Sequence, residues 1–190
     1  MKVVKLAVLA LALVAGAAHA QFKGYGTFEY SDETNRETKK DSIKGAFVIG
    51  GKNAQGWDLS AKFESGQQSF GNGDISSGLE GRIRKNWNNA LGSVTPWLGF
   101  RGGEAIKKDD NWLYYALEGG LKFPVAGALS ADVGYRYRNA TEQWRNFETH
   151  RGHLTLNYAL TKVDSVGVRF ARSYGDDEKD AWRLSYTRSF

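Results

Sequence analysis

The stretch that decides the fold is Ala181-Trp182-Arg183-Leu184-Ser185-Tyr186-Thr187-Arg188-Ser189-Phe190. From Trp182 to Tyr186 every second residue is large and apolar, and the last residue, Phe190, is aromatic. Between them stand Arg183, Ser185, Thr187 and Ser189, all polar. A period of two is that of a β-strand with one greasy face and one wet face. A soluble domain rarely ends on an intact amphipathic strand, because chain ends fray.

Such an ending resembles the closing strand of bacterial outer-membrane β-barrels, which typically finishes in Phe behind alternating apolar residues. The resemblance implies that Trp182, Leu184, Tyr186 and Phe190 form the signal read by the barrel assembly machinery. Arg188 departs from the pattern, since an apolar residue is more usual two places before the end.

The beginning of the chain agrees. Lys2 and Lys5 make a short basic region, Leu6 to Ala18 is a short apolar run, and Ala18-His19-Ala20 is an A-x-A cleavage site. Residues 1–20 are therefore expected to be a signal peptide, and residues 21–190 a single barrel domain. The apolar run is short for a membrane span. No Cys follows the cleavage site, and none occurs anywhere, so disulfides and thiolate metal sites are excluded. Removing Lys2 and Lys5 lowers the formal charge from +5 to +3, too weak to argue for nucleic acid. A mean hydropathy of -0.50 suits a membrane barrel, where only alternate residues meet lipid.

In order, alternation predicts ten strands, near 21–31, 41–51, 57–64, 79–87, 94–101, 113–123, 129–138, 151–160, 166–171 and 181–190. Charged connections at 32–40, 104–111, 139–149 and 175–180, with a Gly/Asn/Gln loop at 66–74, alternate with short, small-residue turns. Long outer loops and short periplasmic turns would give this pattern. Pro96 suggests a bulge or a strand start. Two aromatic rims are expected: Phe22, Trp57, Trp87, Phe123 and Phe190, and Tyr30, Phe63, Tyr137, Tyr174 and Trp182. The fold class is thus an all-β, up-and-down antiparallel transmembrane barrel of about ten strands. A soluble lipocalin-like barrel would show the same period with the greasy face inside.

If the greasy face meets lipid, parity places Lys23, Lys44, Lys62, Arg82, Arg84 and Arg101 in the lumen. It adds Lys122, Arg136, Arg138, Arg151, Arg169 and Arg183. Against these stand Glu29, Asp58, Glu64, Glu80, Glu118 and Asp132. A surplus of fixed positive charge in a narrow pore favours anions. The contrasting reading is a closed barrel plugged by its own ion pairs and acting through its outer loops, because small barrels nearly fill with side chains.

Phe28-Glu29-Tyr30, Tyr135-Arg136-Tyr137-Arg138 and Thr149-His150-Arg151-Gly152-His153-Leu154 resemble the KdgM-type oligogalacturonate porins. The resemblance implies a basic lumen track for acidic oligosaccharides. That family is generally longer, with twelve strands, so this chain departs from it by a hairpin.

Nothing points to an enzyme, cofactor or metal centre. The mature chain has only His150 and His153, which parity puts on opposite faces, and neither has a nucleophile–base arrangement around it. Ser173 has no catalytic context, and Gly71–Gly73 and Gly102–Gly103 precede no helix that could cradle a phosphate. The implied partners are outer-membrane lipid, the assembly machinery and small anionic solutes.

Overall fold

A computed structural model describes residues 22–190 except 69–74, 89, 108–110, 143, 144 and 146. The expected signal peptide, the Gly71–Gly73 stretch and the loop acids Asp109 and Asp110 lie outside the described residues. Ten strands follow one another: β1 Lys23–Asn35, β2 Asp41–Lys52, β3 Trp57–Gln68, β4 Ile75–Asn86 and β5 Thr95–Ile106. Then come β6 Trp112–Ala126, β7 Leu129–Ala140, β8 Glu148–Ala159, β9 Asp164–Gly175 and β10 Lys179–Ser189. Each pairs antiparallel with its sequence neighbours, and β1 pairs with β10, so the sheet closes into a barrel with no free edge. Closure is what lets strands stand in lipid, where an unpaired backbone group is costly.

The closing seam joins Phe28 to Tyr186 and Thr27 to Thr187 in register, with the two threonine hydroxyls 2.8 Å apart on the inner face. On the outer face the Phe190 ring lies against Gly24, where a Cβ would stand 2.5 Å from its Cε2, and the Phe190 amide donates to the Gly24 carbonyl at 3.0 Å. Glycine at position 24 is therefore what allows the last aromatic to lie flat over the first strand. The departure at Arg188 also has a partner: its guanidinium is 64% exposed and 3.5 Å from Asp164 on β9.

The two faces decide between membrane and soluble barrels. Phe28, Leu98, Leu117 and Leu184 are more than half exposed on the outside, while Asp58, Glu33 and Glu118 are 4% exposed within. No large apolar side chain is fully buried among the described residues. A soluble carrier would reverse this arrangement. The barrel meets lipid with its greasy face and keeps a polar interior.

Two expectations change. The strands reach further into the charged connections than alternation suggested: β1 runs to Asn35, β5 to Ile106 and β9 to Gly175. Ser31 and Glu33 continue the inward parity of Tyr25, Thr27 and Glu29, and Glu33 finds bases inside. Loop length is consequently no longer asymmetric, since 87–94, at the end that holds the termini, is as long as any connection opposite. Charge remains asymmetric: connections 53–56, 87–94, 127–128 and 160–163 carry only Lys162, whereas 36–40, 107–111 and 176–178 are dominated by charged residues. We take the charged end as outer. Pro96 is the second residue of β5, a strand start as one of its two readings expected, and a register shift falls at Pro124/Ala126 on β6. Of the expected rims, Trp57, Trp87, Tyr30, Phe63, Tyr174 and Trp182 are exposed, while Phe123 is half-buried beside the lumen mouth.

Candidate functional site

Inward-facing residues line two cavities that share one layer. The outer cavity has a volume of about 90 Å³ and is bordered by Lys44, Lys62, Arg101, Arg136, Arg138, Arg151, Arg169 and Arg183. Its acids are Glu33, Glu64, Glu80, Glu118 and Asp177. The inner cavity, towards the chain termini, has about 630 Å³ and is bordered by Lys52, Lys62, Arg82, Arg84, Arg101, Lys122, Arg169 and Arg183. Its acids are Glu29, Asp58, Glu80 and Asp132. Lys62, Glu80, Arg101, Arg169 and Arg183 belong to both, so they form the waist of an hourglass.

Most of these charges are paired, in four groups. One chain of contacts runs Arg183–Glu29 (3.0 Å), Glu29–Lys62 (3.1 Å), Lys62–Glu64 (2.7 Å) and Glu64–Lys44 (3.8 Å). It continues through Lys44–Glu33 (2.7 Å) to Glu33–Arg151 (3.4 Å). A second group centres on Arg101, which reaches Glu80 at 2.5 Å and Glu118 at 2.7 Å, while the Tyr114 hydroxyl donates to Glu80 at 3.1 Å. In the third, Asp58 accepts from Tyr25 at 2.8 Å and pairs with Arg82 at 3.2 Å and Lys52 at 3.8 Å. In the fourth, Asp132 meets Arg84 at 3.0 Å and His153 at 3.5 Å.

Four bases stand outside these groups. Among the described residues Arg136, Arg169 and Lys122 have no carboxylate within 4.0 Å, and Arg169 is held instead by the Thr155 hydroxyl at 2.7 Å. Arg138 has only a distant Asp177 at 3.8 Å. Lys23, read from parity as a lumen base, is exposed and borders neither cavity. Sequence reading missed Glu33 and Lys52, which it had put in connections, although continued parity along β1 was the available signal for Glu33.

Aromatic side chains also enter the lumen, and glycines make room for them. Trp97 is 4% exposed and lies over the adjoining pair Gly120 and Gly134, where an added Cβ would stand 2.7 and 2.6 Å from its Cζ2. The Arg84 guanidinium stacks on its other face at 3.9 Å from the ring centre. Tyr25 lies over Gly50, and Tyr114 over Gly103, in the same manner. These rings hug the wall instead of crossing the channel.

The two histidines stand on opposite faces. His153 is inside with Asp132, whereas His150 is outside, 2.8 Å from Glu148 and hydrogen-bonded to Tyr135. Trp182 and Leu184 project outward at 58% and 55% exposure, Phe190 at 76%, and Tyr186 donates to Asp164 at 2.6 Å. No group of three metal-binding side chains occurs among the described residues.

No family model matches this chain, and no curated protein matches it. Solved structures do. An outer membrane channel from Pseudomonas putida F1 superposes with a TM-score of 0.60 at 12% identity, covering 89% of this chain and 96% of that one. The KdgM porin, solved with disordered oligogalacturonate, gives 0.52 at 17% identity over 86% and 99% of the two chains. The translocator domain of the autotransporter NalP from Neisseria meningitidis gives 0.52 at 10% identity over 100% and 96%. Channel, porin and autotransporter translocator domain thus share this fold, so fold alone does not assign the solute. The resemblance to KdgM is thus matched at the level of fold, and the chain has the fold of the bacterial outer-membrane barrels.

Proposed function

We propose that this protein is a passive outer-membrane channel whose cationic lumen favours small anionic solutes, acidic oligosaccharides among them, and that it is not an enzyme. The observation that carries the reading is the hourglass itself: two cavities, one at each end, meeting at a layer that both share. Twelve bases line the two cavities together, against Glu29, Glu33, Asp58, Glu64, Glu80, Glu118, Asp132 and Asp177. Fixed charge surrounded by low-dielectric walls focuses the field and raises the local concentration of the opposite ion. A channel and a porin are among the structures of the same fold, which supports the reading further.

Export of residues 1–20 as a leader, and insertion through recognition of Trp182, Leu184, Tyr186 and Phe190, belong to the same proposal. The second reading, a closed barrel acting through its outer end, is favoured by one observation, the dense pairing across the waist.

Planar-bilayer recording of the refolded barrel, with the reversal potential read in a KCl gradient, separates the two. Discrete steps with anion preference are expected. A folded, heat-modifiable barrel that carries no current refutes the channel.

A further inference from the structure

Cross-strand register sets guanidinium groups beside one another on the inner face. Arg136 on β7 pairs directly with Arg151 on β8, and Arg138 follows two residues further along β7. Like charges directly opposite are unfavourable in a sheet unless something lies between them. On its other side Arg136 stands directly opposite Glu118 of β6, yet among the described residues no carboxylate comes within 4.0 Å of its guanidinium. Glu80 and one oxygen of Glu118 are taken by Arg101, and Glu33 by Lys44 and Arg151, while Glu118 Oε1 is left without a hydrogen-bond partner among the described residues. The Nε atoms of Arg136 and Arg138 are buried and find no acceptor among the described residues.

Arg151 is by contrast held in place: its Nε donates to the Ser173 hydroxyl at 2.8 Å. Arg138 is held by three rings, with Tyr114, Phe147 and Trp112 centred 5.3, 5.1 and 5.6 Å from its guanidinium carbon. Such packing fixes a cation without neutralising it. All three arginines border the outer cavity, whose volume of about 90 Å³ has room for an oxyanion group.

We infer that Arg136, Arg138 and Arg151 form a discrete binding site for a single oxyanion, a carboxylate or phosphate group, in the outer half of the lumen. The inference rests on the channel reading for the ligand's route in, and it narrows a diffuse cationic field to one place. Planar guanidinium forks suit both oxyanions, because each can accept paired N–H bonds. The paired bases of the waist set the background potential, while Arg136 supplies the donors that are free.

The test is binding by the refolded full barrel in detergent, followed by calorimetry and by tryptophan emission, since Trp112 borders Arg138. Inorganic phosphate and D-glucuronate are titrated separately, with glucose as the neutral control. Saturable binding of either anion is expected, and the anion that binds more tightly identifies the source of the group. Arg136→Gln is expected to weaken it about tenfold or more, as loss of one charge-assisted contact does, and Arg136→Lys to restore part of it. Arg172→Gln, which removes the same charge from the lipid-facing side, is expected to bind like the parent. Absence of saturable binding in the parent, or Arg136→Gln binding as tightly as the parent, overturns the site. Binding by a barrel that passes no current keeps the site and refutes the channel; current without saturable binding does the reverse.

Discussion

Gly134→Ala is a one-carbon change whose effect can be worked from the lumen geometry. The new Cβ would stand 2.6 Å from Trp97 Cζ2 and 2.5 Å from His153 Cε1. Carbon atoms pack at about 3.5–4.0 Å, so both the indole and the imidazole must retreat by roughly 1 Å. Behind Gly134 is the barrel wall, and the indole cannot shift freely, because the Arg84 guanidinium is stacked on it at 3.9 Å. Overpacking of this kind costs about 1–3 kcal/mol. The Arg84–Asp132 contact at 3.0 Å is strained with it. Gly152→Ala is the matched control: nothing lies within 4 Å of its added Cβ, on the lipid-facing side of β8. Its effect should stay within about 0.5 kcal/mol. The assay is urea unfolding in detergent micelles, read by gel mobility, together with single-channel conductance. Gly134→Ala should unfold at lower urea and conduct less, and Gly152→Ala should match the parent in both. Equal behaviour of the two alanine variants would refute the account of Trp97 lying in a glycine-floored slot.

Three more outcomes follow from the same contacts. Glu33→Gln leaves Lys44 and Arg151 without their shared carboxylate, which should destabilise the barrel by about 1–3 kcal/mol in urea unfolding while making the reversal potential more anion-selective. Deleting Phe190 removes the ring over Gly24 and the amide bond to its carbonyl; if the terminal strand is an assembly signal, outer-membrane yield in cells should fall much more than refolding yield in detergent. Anion preference measured at 1 M KCl should be weaker than at 0.1 M, because the screening length shortens from about 10 Å to about 3 Å and uncovers the surplus charge less.

Strand number, facing and closure were legible because lipid and a wet lumen impose one rule on every strand, and a one-residue slip would invert a whole face. Phe28, Tyr30 and Leu184 obey it as plainly in the sequence as in the barrel. Strand ends were less legible. Asp32 to Lys40 reads as a charged loop, yet Glu33 is a lumen residue because bases on β2 and β8 await it. Which bases are neutralised was not legible at all. Lys62 meets Glu29 two strands away, and Arg183 meets the same Glu29 across the closing seam, so the pairing depends on register and closure. Trp97 likewise sat on the wet face by parity, but the reason an indole fits there is a pair of glycines on two other strands.

The distribution of partners bears on what the lumen is for. Arg136 beside Arg151, Arg169 beside Arg183 and Arg82 beside Arg101 are three cross-strand pairs of like charge. Each costs a sheet some tenths of a kcal/mol up to about 1 kcal/mol against a neutral pair. A barrel selected only to be closed and stable would gain by placing a carboxylate at one position of each, as it does for Lys62 opposite Glu80. The chain has instead spread its carboxylates so that Arg82, Arg101 and Arg183 are each matched, while Arg136 and Arg169 are not. Those two unmatched charges sit on β7 and β9 and face the outer cavity, whereas the carboxylates of the long chain of pairs, Glu29, Glu33 and Glu64, all come from β1 and β3. A solute anion entering from the charged end would therefore meet two unmatched charges among paired ones. Exchange between sites that hold an ion loosely is what conduction requires. Arg169→Gln at the waist should accordingly lower anion selectivity in the bilayer more than Lys23→Gln, which removes a charge bordering neither cavity; equal effects would mean that net charge alone, without regard to place, sets the preference.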